Sequence, residues 1–149
     1  LLGRYRVLHF ATHGLVDERH PERSSLALAH PRDESEDGYL RASEIYDLAL
    51  HADLVVLSAC ETGLGKMVRG EGVLGLPRAF FFAGAPSVVV SLWSVSDRST
   101  ADLMTAFYGE MVRGAAPPAE ALALAKAALR SGSFSHPFHW APFILVGAM

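Results

Sequence analysis

Apolar residues in this chain collect in four compact blocks. The stretches between them either repeat with the period of a helix or break into turn-forming residues. The blocks cover residues 5–12, 53–59, 87–93 and 143–147 and are rich in Val, Leu, Ile and Phe. They show little polar alternation, as strands buried on both faces do. Helical spacing marks the intervals. Residues 44–50 predict a short helix with Ser43 as N-cap. Leu74, Leu76, Phe80 and Phe81 predict a helix over 73–83, with Pro77 near its start and Gly84 at its end. A helix over 98–113 is capped by Asp97 or Ser99, and an alanine-rich helix over 119–130 is closed by Gly132. Residues 15–37 are polar, with Pro21 and Pro31. They predict an excursion carrying a hairpin of 25–28 against 38–40.

Strand, helix, strand, helix, strand, two helices, strand is the order of an α/β fold with a mainly parallel central sheet. Such sheets carry their chemistry at the carboxyl ends of the strands. The first block ends at His13-Gly14, and the second ends at Cys60, which opens the glycine-rich segment 61–72. An imidazole near a thiol can take or hold its proton, and the thiolate is the attacking species. Gly14 has no side chain to keep a substrate carbonyl from its backbone N–H. With the N–H of Cys60 it forms a candidate oxyanion hole. The third block ends at Trp93, Ser94 and Asp97, candidates for a substrate pocket at the same sheet edge. For Asp97, capping the next helix is the stronger reading. The composition of segment 61–72 predicts a mobile loop that orders for activity.

Composition narrows the function classes. The 149 residues suit one domain, residues 1–149, and with half of them apolar a packed core is expected. A formal net charge of −3 argues against a nucleic-acid footprint. No run approaches the ~18 apolar residues of a membrane span, and no secretory leader is visible. One cysteine allows no internal disulfide, so a cytoplasmic setting is expected. The chain opens without Met and enters a core strand at once, which reads as a piece of a longer protein.

Two further patterns carry little. Gly70-Glu71-Gly72-Val73-Leu74-Gly75 matches a dinucleotide fingerprint, but its first glycine comes some ten residues too late after the strand. His9 with His13, and His136 with His139, lack a third ligand for a metal. His9 reads instead as a core histidine bonded to a backbone carbonyl. No cofactor or metal is expected.

The motifs His9-Phe10-Ala11-Thr12-His13-Gly14, Leu57-Ser58-Ala59-Cys60-Glu61-Thr62-Gly63, Gly70-Glu71-Gly72, Ser91-Leu92-Trp93 and Trp140-Ala141-Pro142-Phe143 resemble the CHAT domain. That resemblance spans nearly the whole chain. It implies a caspase-like three-layer sandwich and cysteine endopeptidase activity on a protein or peptide substrate. In it, His13 is the base and Cys60 the nucleophile, under control of a partner or of tetratricopeptide repeats in the same parent chain. A domain of that kind has two further strands and a helix before the histidine strand, and this chain starts at that strand. The competing readings are a non-catalytic caspase-like interaction scaffold and a nucleotide-binding α/β domain.

Overall fold

Leu54–Leu57, with all four side chains buried, forms strand β5 at the heart of the central sheet. The computed structural model describes residues 2–17, 19–29, 37–58, 67–68, 72–73 and 75–148. Within them the sheet runs β1 (Val7–Phe10), β5, β8 (Ser87–Ser91), β9 (Phe143–Gly147). The first three strands are parallel, with Val7 opposite Leu54 and Val55 opposite Val88, and β9 returns antiparallel to β8.

Period-two alternation sends successive side chains to opposite faces and so builds two cores. Val55 and Leu57 of β5 join Leu8, Val88 and Val90 beneath α1 (Ala42–Tyr46) and α2 (Leu76–Phe82), where Ile45, Leu76 and Phe80 are buried. Leu54, Val56 and Val89 face α3 (Asp97–Arg113) and α4 (Pro118–Ser131), against Leu103, Phe107, Leu122 and Leu129. Helices thus cover both faces of a mostly parallel sheet, giving the three-layer α/β arrangement of a caspase-like sandwich.

Several sequence expectations shift. β1 is shorter than residues 5–12 and is not buried on both faces. Among the described residues no strand pairs its outer edge, and Val7 and part of His9 are exposed. The expected hairpin exists as β3 (Ser25–Ala27) against β4 (Tyr39–Arg41), with β2 (Gly14–Leu15) added as a third strand. Helix α1 begins at Ala42, so Ser43 lies inside its first turn. The Glu44 carboxylate accepts from the Arg41 N–H at 2.6 Å. Pro77 sits in the first turn of α2, which starts at Leu76, and Met67–Val68 (β6) and Gly72–Val73 (β7) form a small antiparallel pair before it. The rest of the glycine-rich segment lies outside the described residues, and with it the expectation of mobility.

One glycine is required by the route out of α2. Gly84 has φ +109°, and a Cβ there would stand 2.7 Å from the Leu50 carbonyl oxygen. The Leu50 N–H donates to the Ala83 carbonyl at 2.8 Å, so the two loops cannot move apart without losing that bond.

Candidate active site

A cleft of about 420 Å³ opens where β1 and β5 end and α3 begins. Ala11, Thr12 and His13 reach it from β1, Ser58 from β5, and Asp97, Thr100 and Met104 from α3. His13 therefore lies in a cleft at the carboxyl edge of the sheet, as the chain order led one to expect.

Backbone pairing holds the histidine loop. The Ala27 N–H donates to the His13 carbonyl at 2.9 Å, and the Thr12 hydroxyl donates to the Ala27 carbonyl. With Gly14 opposite Leu26, this bond makes 13 and 27 a hydrogen-bonded pair. Alternation along an antiparallel ladder then turns the Gly14 N–H away from β3, free of the ladder. The parallel ladder continues one residue past β5, where the Ser58 N–H donates to the Phe10 carbonyl at 3.2 Å.

His9 corrects an expectation. Leu8 and Phe10 point to the α2 side, so His9 has the opposite phase and faces α3. Its Nε2 is 2.8 Å from Ser58 Oγ, a hydroxyl and not a backbone carbonyl, and its ring centroid is 5.6 Å from that of Tyr108. Partial burial holds the His9 imidazole below its ordinary pKa. The Tyr108 hydroxyl is buried without a partner among the described residues, and desolvation pushes its pKa up to about 12. The sequence signal for His9 was its phase: the residue between Leu8 and Phe10 faces the opposite side of the sheet.

Asp97 is corrected as well. Ser96 caps α3, its hydroxyl accepting from the Ser99 N–H at 3.3 Å and lying 2.8 Å from Ser99 Oγ. Asp97 is the first helical residue, and it lines the cleft with His13. Trp93 follows β8, but its indole N–H donates to the Phe138 carbonyl at 3.0 Å and its ring leans on Phe138, away from the residues that line the cleft. Ser94 lies in the same turn, and neither it nor Trp93 is among the lining residues. Thr100 and Met104, one helical turn apart, line the cleft too. Sequence reasoning did not single them out because their helix was read only for its core side. Cys60 lies outside the described residues, as do Gly70, Glu71 and Leu74 of the Gly70–Gly75 pattern.

The CHAT domain family model matches residues 1–148. The chain belongs to the CHAT domain family. CHAT domains fall in the caspase-like protease clan, in keeping with the three-layer sandwich seen here. Among curated proteins, this CHAT domain is similar to human tetratricopeptide repeat protein 28, with 33% identity over 178 residues, 99% of this chain and 7% of that protein. The mouse protein of the same name is 38% identical over 109 residues, covering 73% of this chain and 4% of its own length. The chain thus spans less than a tenth of the length of these relatives. Among the described residues of the CHAT domain, no helix is long and apolar enough to cross a membrane.

Proposed function

We propose that this CHAT domain is a cysteine endopeptidase acting through His13 and Cys60. The observation that carries the reading is the cleft lined by both His13 and Ser58. Cys60 follows Ser58 by two residues in the sequence, and Ser58 is the last described residue of the strand that leads to it.

In this reading the His13 imidazole accepts the Cys60 thiol proton as sulfur attacks the scissile carbonyl carbon. The Gly14 N–H, unused by the β2–β3 ladder, donates to the developing oxyanion together with the Cys60 N–H. His13 then protonates the leaving amine, and water, deprotonated by the same imidazole, releases the acyl group from sulfur. Among the described residues, Asp97 supplies the one carboxylate of the cleft lining, and in this reading it favours a cationic substrate side chain there. The relatives are tetratricopeptide repeat proteins, which supports a parent chain in which repeats present the substrate or gate the site.

The test is the pH dependence of Cys60 alkylation by iodoacetamide, followed by cleavage profiling of a peptide library by the intact parent protein. A thiol that reacts well below its ordinary pKa near 8.5, and that loses this in His13→Ala, is the expected result. Cleavage absent in Cys60→Ala completes it. Ordinary thiol reactivity unaffected by His13→Ala, with no cleavage, would instead make the domain a caspase-like interaction scaffold.

A further inference from the structure

The edge of the sheet opposite His13 carries a second groove, of about 340 Å³, between α4 and β9. Ala119, Leu122, Ala123 and Lys126 of α4 line one side and Ile144 and Leu145 of β9 the other. Three observations bear on what this groove takes.

The first is backbone. The Leu92 N–H donates to the Pro142 carbonyl, the Ala148 N–H donates to the Pro86 carbonyl, and Val90 stands opposite Ile144. Even-numbered residues of β9 therefore bond to β8, and alternation turns the N–H and C=O of Phe143 and Leu145 outward. No described strand pairs with them. Such an edge is a template for an added strand. The second is the apolar lining, which suits small aliphatic side chains. The third is Lys126. It is half-buried in this apolar setting, desolvation lowers its pKa, and no described residue forms an ion pair with it. A cation held this way is complementary to a carboxylate.

We propose that the α4–β9 groove docks an extended acidic segment of a partner, which adds as a strand to the free edge of β9 and sets a carboxylate on Lys126. Ala119 to Lys126 spans about 10 Å of helix, the reach of two to four strand residues. The recognised pattern is therefore an aliphatic residue and an Asp or Glu two or four positions apart on one face. A second copy of this chain is the poorer occupant. Two β9 edges related by a two-fold axis put both Lys126 ammonium groups on the same face of the joined sheet, across the junction from one another.

The probe is a terminally blocked, fluorescein-labelled heptapeptide with threonine at alternate positions and valine, valine and glutamate on the other face, beside its glutamine counterpart. Anisotropy on the full chain is expected to show the glutamate peptide binding at least about tenfold tighter. It should also slow hydrogen exchange at the Phe143 and Leu145 amides. Lys126→Gln should equalise the two peptides and Lys126→Arg should preserve the difference, each with an unchanged circular dichroism spectrum. The two-peptide comparison on the unaltered chain decides the matter if a variant fails to fold. Equal affinities, or no exchange protection with either peptide, overturn the proposal. So does a concentration-dependent dimer that protects the same amides.

Discussion

His9 Nε2 lies 2.8 Å from Ser58 Oγ, joining the edge strand that leads to His13 to the central strand that leads to Cys60. Ser58→Ala is expected to lower unfolding free energy by about 1 kcal/mol, the usual worth of one such bond. Burial lowers the folded-state pKa of His9, so between that value and 6.5 the unfolded chain binds more protons. Stability contributed by His9 is full above 6.5 and declines as pH falls below it. Melting temperatures from pH 7.5 to 5 should drop more steeply in the unaltered chain than in His9→Gln. Equal slopes would remove His9 from the pH dependence.

The cap of α3 makes a second prediction. Ser96 accepts from the Ser99 N–H, and Asp97 only neighbours the helix dipole. Ser96→Ala should cost about 0.5–2 kcal/mol in urea unfolding and Asp97→Ala less. The reverse order would return the cap to Asp97.

Gly84 and Gly132 both follow helices but differ in strain. At Gly84 φ is +109° and a Cβ would meet the Leu50 carbonyl oxygen at 2.7 Å, whereas at Gly132 the nearest atom is at 3.4 Å and φ is −106°. Gly84→Ala should destabilise by about 1–3 kcal/mol and Gly132→Ala by under about 1. Thermal denaturation of the two variants side by side checks this, and equal losses would refute the strain argument.

The Tyr108 hydroxyl has no described partner where it is buried, so Tyr108→Phe should be neutral or stabilising by up to about 1 kcal/mol. With its pKa raised to about 12, the folded phenol stays protonated as the unfolded one ionises near 10. Stability from this group is full below pH 10 and is lost as pH rises toward 12. Tyr108→Phe should flatten that alkaline loss, measured as unfolding free energy from pH 9 to 11.5. A loss of more than about 2 kcal/mol at pH 7 would mean the hydroxyl is satisfied.

Much of this fold was legible because its signals are local. Val55, Val56 and Leu57 in a row mark a strand covered on both faces, and Leu103 with Phe107 marks one side of a helix. The place of His13 just past the end of β1, at the cleft, could be read from its position in the sequence alone. The errors share one cause. The first block was read as buried because it is apolar, yet burial of β1 depends on whether another strand lies beside it. That neighbour is a property of the sheet, not of residues 7–10. The sequence offers Asp97 or Ser99 as the cap, whereas Ser96 holds that place, because Ser96, Asp97 and Ser99 are all good caps and the choice rests on where α3 starts once Leu103 and Phe107 have met the sheet.

By itself the sequence determined the α/β order, the strand that leads to His13, and the family likeness. Those depend on residue type and spacing along one chain. Tertiary structure alone decided that His9 faces Ser58 from the neighbouring strand, that Asp97, Thr100 and Met104 come to the same cleft as His13, and that Lys126 borders the β9 edge, which no described strand pairs. Each of these joins residues from separate elements. Their approach is set by how helices of a given length lie on a sheet of a given register, which no local pattern encodes.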